Sequence, residues 1–147
     1  MGIQFIEQDR VFVLQSKTST YAIQTQEDGY LLHLYWGDQI KKISPKHLFE
    51  HRSRASFSPN PVKGKPWLTL DDTELEYPAY GTSDYRSPAF EIQYEDGSSI
   101  SDFRYQSYEI IQGKPLLKGL PATYVHEESE AQTLEITLTD KVKGLKL

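Results

Sequence analysis

Short strand-like runs separated by turn residues limit what this sequence can fold into. Residues 11–15 are a short apolar run, residues 20–25 alternate in polarity, and a third run at residues 30–36 follows Asp28-Gly29. A side-chain period of two indicates a strand, and Asp-Gly between two strands is a strong hairpin signal because glycine accepts a positive φ. This part of the chain therefore predicts antiparallel strands.

The run at residues 30–36 has large side chains on both of its faces. Strict alternation places Tyr30, Leu32, Leu34 and Trp36 on one face, and Leu31, His33 and Tyr35 on the other. A strand with apolar residues on both faces is typical of a sandwich interior, so we expect both faces to be covered.

The same pattern returns in the second half of the chain. Residues 89–94 alternate before an Asp96-Gly97 turn, and residues 100–111 follow it as a long predicted strand. Residues 133–138 alternate cleanly, which predicts an antiparallel strand with one buried face.

Helical periodicity is almost absent. The best candidate is Pro45 to Glu50, where Ser44 stands at the N-cap and Pro45 at the first helical position. The pattern therefore predicts an all-β fold, an antiparallel β-sandwich with at most one short helix near residues 45–50.

One irregular stretch interrupts the strands at about residues 51–81, where proline and glycine are frequent. Loops of this length are usually functional or disordered.

The length of the chain fits one domain, residues 1–147. Because Leu145 and Leu147 begin a new alternation at the C-terminus, we expect a segment of a larger protein that is interrupted within its domain.

Composition excludes several classes of protein. The net charge is −5 and cysteine is absent, which argues against nucleic-acid binding and excludes a disulfide framework. No apolar run approaches the roughly 20 residues needed to cross a bilayer, and the N-terminus has no signal-peptide pattern. We therefore expect a cytoplasmic protein with no membrane or nucleic-acid partner.

The chain shows no catalytic motif. His47 and His51 are four residues apart, but they lack the acidic residue of a His-Glu-x-x-His zinc motif, so we expect no metal. The acidic runs at residues 71–76 and 127–130 lie in polar, loop-like sequence and are typical of solvated surfaces. No nucleophile elbow or phosphate-binding loop is present, and we expect no cofactor.

Several ordered motifs are too specific for a generic sandwich. They are Gly-Tyr-Leu-Leu-His-Leu-Tyr-Trp-Gly at residues 29–37, Ser-Phe-Ser-Pro-Asn-Pro at 56–61, the stretches 76–89, 96–105 and 113–125, and Glu-Ala-Gln-Thr-Leu-Glu-Ile at 130–136. Together they closely resemble the N-terminal region of bacterial α-galactosidases (melibiases) of glycoside hydrolase family 36.

The resemblance implies a fold and an activity. These enzymes have an N-terminal β-supersandwich, a central (β/α)₈ barrel and a C-terminal β domain, and they hydrolyse terminal α-galactosides such as melibiose and raffinose with retention. Their catalytic aspartates lie in the barrel, so this chain alone would be inactive. The implied partners are the rest of the enzyme, including the barrel, further copies in a homo-oligomer, and the α-galactoside substrate.

The resemblance also implies a place where the chain approaches substrate. Family members use an N-terminal loop to close an active-site mouth, and the matching loop here runs from His51 to Trp67. The candidate entrance residues are therefore His51, Arg52, Ser53 and Trp67. The family more often reads Gly-Asp-Phe-Arg where this chain has Ser83 and Tyr85.

Two Asp-x-Arg pairs, Asp84 with Arg86 and Asp102 with Arg104, are each expected to share a strand face. We interpret them mainly as braces for a long loop, with direct contact to a sugar as the less favoured alternative. Two other functions remain open at this level. One is a stand-alone carbohydrate-binding module, with Trp36, Trp67 or the tyrosines as a sugar platform. The other is a pure interaction module that docks on a barrel or a sister subunit.

Overall fold

Four consecutive strands form the first sheet. The computed structural model describes residues 2–51 and 59–147, and in it β1 (Gly2–Ile6), β2 (Val11–Gln15), β3 (Ser19–Thr25) and β4 (Leu31–Asp38) are joined in sequence order. All three pairings are antiparallel. The predicted turn between β3 and β4 is confirmed, since Gly29 has a φ of 87°.

Two long strands form the second sheet. β5 (Phe103–Gln112) pairs antiparallel with β6 (Gln132–Asp140). The predicted alternation at residues 145–147 also pairs with β6, because the Leu147 N–H donates to Leu138 O at 2.9 Å. Within the described residues, helix is limited to single 3₁₀ turns at Pro45–His47 and Glu128–Glu130.

The two sheets face each other across an apolar core. Phe12, Ile23 and Leu31 of the first sheet meet Leu138 of the second, and partly buried side chains of both sheets surround them. Burying a large apolar side chain contributes about 1.5–3 kcal/mol, so this interface stabilises the fold strongly. The predicted antiparallel sandwich is confirmed.

The outer face of the first sheet is covered by loops. Val11, Val13 and Ala22 pack against Ile43, and Leu32 packs against residues 68–70 of the irregular stretch. The same stretch extends the edge of β4, because the His33 N–H donates to Glu74 O at 2.9 Å. Both faces of β4 are therefore covered at its beginning, as its sequence predicts.

A bulge changes the end of β4. Ala22 pairs with Tyr35 but Ile23 pairs with His33, so Leu34 is an extra residue in β4. As a result Trp36 lies beside Tyr21, with ring centroids 5.0 Å apart. The predicted placement of Trp36 on the face of Tyr30 and Leu32 is wrong, because strict alternation does not continue through a bulge.

Two other predicted elements differ in the structure. Residues 89–94 form no strand, although the Asp96-Gly97 turn is present and the Tyr94 N–H donates to Ser98 O at 2.9 Å. The helix predicted from Pro45 to Glu50 is a single 3₁₀ turn that ends at His47. A helix this short does not bring His47 and His51 onto one face.

The Asp102-x-Arg104 pair is a buried brace. Arg104 donates to both oxygens of Asp102 at 2.6 and 2.7 Å and to Asp28 O at 2.7 Å. Its guanidinium lies 3.7 Å from the ring centroid of the buried Tyr30. The brace therefore ties the start of β5 to the turn between β3 and β4, and not to a long loop as the sequence predicts.

The Asp84-x-Arg86 pair braces the irregular stretch. Arg86 donates to both Asp84 oxygens at 2.8 Å, and its Nη2 also donates to Leu70 O and Thr73 O. The pair lies in a loop and not on a strand, because Gly81 and Ser83, which precede it, both have positive φ. Burial alone would raise the pKa of Asp84, but the bonds from Arg86 outweigh it and lower the pKa.

Ser83 is a strained position in that loop. Its φ is 56°, and its buried Oγ has no hydrogen-bond partner among the described residues. A left-handed conformation costs a non-glycine residue about 1–2 kcal/mol.

We expect Ser83→Gly to raise the free energy of unfolding by about 1 kcal/mol, measured by urea denaturation. Ser83→Ala is the control because it removes the hydroxyl but keeps the strain; an equal gain from both variants would contradict the role of φ.

Candidate functional site

Two of the four candidate entrance residues are in direct contact. The rings of His51 and Trp67 have centroids 4.8 Å apart, and the Phe49 ring meets His51 edge-on at 4.9 Å. Arg52 and Ser53 lie outside the described residues. The structure thus brings together the two ends of the His51–Trp67 loop in one aromatic cluster.

Gln26, which follows β3, holds the His51 ring. Its Nε2 lies 2.8 Å from His51 Nε2. Burial lowers the pKa of His51, so the ring is neutral at neutral pH and its Nε2 accepts a hydrogen bond from the amide. Gln26 Oε1 is buried without a partner among the described residues. The cluster therefore has hydrogen-bonding capacity that these residues leave unused.

Lys65 places positive charge beside Trp67. Its Nζ lies 5.6 Å from the Trp67 ring centroid and 2.9 Å from Asp28 Oδ2. Asp28 stands at the turn between β3 and β4, so the hairpin fixes the position of the lysine. Trp67 remains 40% exposed. The arrangement suits contact with a polar molecule that has an apolar face.

The sequence indicated His51 and Trp67 but not Gln26. No motif singles out Gln26. It lies 25 residues from His51 in the sequence, and a separation of that length does not predict a contact. The position of Lys65 is explained by its contact with Asp28 at the tip of the hairpin.

Trp36 lies in a second aromatic group. It is 71% exposed, and its ring is inclined by 61° to that of Tyr21. His33 Nδ1 lies 3.2 Å from Glu76 Oε2, and burial raises the pKa of Glu76. Glu76 is thus a half-buried carboxylate paired with a histidine.

Other kinds of site are absent from the described part of the chain. In residues 2–51 and 59–147, no three side chains of His, Asp or Glu are placed to hold a metal ion together. No helix there is long and apolar enough to cross a membrane.

Comparison with protein-family models finds one that covers most of the chain. Residues 29–147 match the glycosyl hydrolase family 36 N-terminal domain. Among curated proteins, the chain is 43% identical over 147 residues to alpha-galactosidase AgaA of Geobacillus stearothermophilus, covering all of this chain and 20% of that protein. It is 36% identical over 143 residues to alpha-galactosidase Mel36A of Lactobacillus acidophilus, covering 97% of this chain and 20% of that protein.

Solved structures show the same relationship. The chain superimposes on GH36 alpha-galactosidase AgaB of Geobacillus stearothermophilus with a TM-score of 0.89 and 43% identity, covering 99% of this chain and 20% of that one. Structures of GH36 alpha-galactosidase AgaA variants from the same organism hold stachyose or raffinose. The chain spans about a fifth of the length of the relatives it matches.

Proposed function

The chain belongs to the glycosyl hydrolase family 36 N-terminal domain family, and from this we propose that it is the non-catalytic β-sandwich part of a longer α-galactosidase. The observation that carries the proposal is the agreement over 99% of the chain with one fifth of a solved α-galactosidase. The paired carboxylates that retaining hydrolysis requires would then belong to the other four fifths.

The substrate we propose is a terminal α-galactoside of the melibiose or raffinose type. Raffinose and stachyose complexes of the related AgaA variants support this class of substrate. The partners we propose are the catalytic barrel of the same polypeptide and further copies in a homo-oligomer, in the cytoplasm.

The role we propose for the His51–Trp67 loop is to shape the entrance of an active site. Trp67 supports this role because it offers a partly exposed indole held between a neutral histidine and a lysine. Arg52 and Ser53 belong to the same loop and complete the proposed entrance.

Hydrolysis of p-nitrophenyl α-galactoside tests the main proposal. We expect the full-length polypeptide to release p-nitrophenol and the 147-residue chain alone to match the buffer blank. Turnover by the chain alone that is lost on mutating one of its own carboxylates would contradict the non-catalytic assignment.

Trp67→Ala tests the entrance. In the full-length enzyme we expect KM for raffinose to rise about five- to tenfold, since a lost aromatic contact contributes about 1–1.5 kcal/mol. The smaller p-nitrophenyl substrate should be affected less. Trp36→Ala is the matched control because it removes an exposed tryptophan outside the loop. Equal KM values in the wild type and Trp67→Ala would contradict the entrance role.

A stand-alone carbohydrate-binding module has less support. A flat platform for a polysaccharide needs coplanar exposed rings, and the rings of Tyr21 and Trp36 are inclined by 61°. Tyr21 and Trp36 therefore do not form such a platform.

A further inference from the structure

An open cavity of about 650 Å³ lies beside the Asp84–Arg86 brace, on residues that the proposed function does not use. Tyr80, Tyr85 and Arg86 line one part of it, and Glu91 and Gln93 line another. Small-molecule sites typically have volumes of about 300–1,000 Å³ and combine aromatic walls with a few polar groups. We infer that this cavity binds a single neutral sugar residue of an oligosaccharide, which deepens the proposed function and rests on it.

The aromatic walls form a corner. The rings of Tyr80 and Tyr85 are 5.7 Å apart at an interplanar angle of 81°, and their residues are 43% and 57% exposed. One ring can therefore cover the apolar face of a sugar while the other borders its rim. A corner fits one terminal sugar unit better than a long chain, which requires a flat platform.

The segment that carries the corner is anchored. Arg86, next to Tyr85, is fixed by its bonds to Asp84, Leu70 O and Thr73 O. The floor is fixed as well, because Phe90 stacks on Tyr77 at 5.3 Å and meets Phe103 of β5 edge-on at 5.3 Å. A preorganised site loses little conformational entropy when it binds its ligand.

Among the described residues, the two N–H groups of Arg86 Nη1 are left for a ligand. Its Nε and Nη2 make the bonds of the brace, and no contact within residues 2–51 and 59–147 uses its Nη1. Hydroxyl groups of a sugar accept from such a donor, and they donate to a carboxylate such as that of Glu91.

The charges favour a neutral ligand over an anion. Arg86 already forms an ion pair with Asp84, and the carboxylates of Asp71 and Asp72 also act on it. Glu91 adds a further carboxylate at the cavity wall. The carboxylates around the cavity would repel an anionic ligand, whereas they would not repel the uncharged hydroxyls of an oligosaccharide.

Isothermal titration calorimetry of the full-length protein tests the inference. The galactosidase site is first saturated with 1-deoxygalactonojirimycin, a compound that a related AgaA variant binds in its solved structure, and raffinose is then titrated in. We expect residual raffinose binding in the wild type, weakened by about tenfold or more in both Tyr80→Ala and Tyr85→Ala.

Two variants serve as controls. Tyr85→Phe keeps the ring and should retain binding, and Tyr124→Ala removes a tyrosine that is 97% exposed on another loop and should change nothing. No residual raffinose binding in the wild type would overturn the inference. Undiminished raffinose binding in Tyr80→Ala and Tyr85→Ala would also overturn the inference. The same conclusion would hold if these variants changed subunit association but not raffinose binding. Hydrolysis of p-nitrophenyl α-galactoside, measured separately, reports on the proposed function and not on this cavity.

Discussion

Replacing Arg104 with alanine is expected to lower the free energy of unfolding by about 3–5 kcal/mol, because it leaves a buried carboxylate without its partner. The side chains of Arg104 and Asp102 are only 10% and 14% exposed. The variant also removes the donor to Asp28 O and the cation over the Tyr30 ring. Urea denaturation followed by tyrosine and tryptophan fluorescence measures the loss.

A double-mutant cycle keeps this prediction testable even when the single variant is too unstable. Because most of the loss comes from the stranded Asp102 carboxylate, the double variant Asp102→Ala/Arg104→Ala should lose less than the sum of the two single losses. Lys118→Ala removes an exposed cation on another loop and should leave the transition unchanged. Additive losses in the cycle would show that the two residues stabilise the fold independently.

Asp140→Asn is expected to lower the free energy of unfolding at pH 7 by about 2–4 kcal/mol. Asp140 Oδ1 accepts from the N–H groups of Asp102 and Val142, at 2.8 and 2.9 Å. Its Oδ2 accepts from the Lys143 N–H at 3.0 Å and from Tyr94 OH at 3.1 Å. An asparagine must place an NH₂ donor against two of these donors, so one pair of bonds is lost.

The same carboxylate makes stability depend on pH. Burial alone would raise the pKa of Asp140, but the four donors outweigh it and lower the pKa below its usual value. A carboxyl whose pKa is depressed in the fold stabilises it above the unfolded pKa of about 3.9, and that stability is lost as the pH falls through the folded pKa. Below pH 4 the wild type should therefore lose stability more steeply than Asp140→Asn.

Denaturation midpoints measured at several pH values between 2 and 7 test this difference. Because the pKa of Asp84 is also lowered, the Asp140→Asn variant should still lose some stability in acid. Asp38→Asn changes an exposed carboxyl at the end of β4 and should behave as the wild type. Parallel curves for the wild type and Asp140→Asn would exclude Asp140 as a source of the pH dependence.

The sequence predicted the elements whose signals are local. The Asp28-Gly29 and Asp96-Gly97 turns and the one-sided alternation of β6 all appear in the structure. Residues 89–94 also alternate, yet they form no strand. A strand needs a partner as well as a pattern, and the pattern does not report whether a partner is present.

The local sequence could not predict the bulge in β4 or the cluster around His51, for different reasons. An extra residue at Leu34 leaves no mark in the sequence, because Leu34 suits either register. The sequence predicts His51 and Trp67 as the ends of one loop, but their ring contact and the role of Gln26 depend on tertiary structure. Such contacts join residues too far apart for any periodicity to connect them.

The order in which the strands are made also affects how the chain acquires its structure during synthesis. The first sheet consists of neighbouring strands and can form early, but its inner face is closed by residues 134–138, and the Ile3 N–H finds its acceptor in Gln132, 129 residues later. Contacts of such long range fold slowly. Until residues 134–138 have been synthesised, the nascent chain therefore carries an open apolar sheet, which makes it vulnerable to aggregation and to chaperone binding.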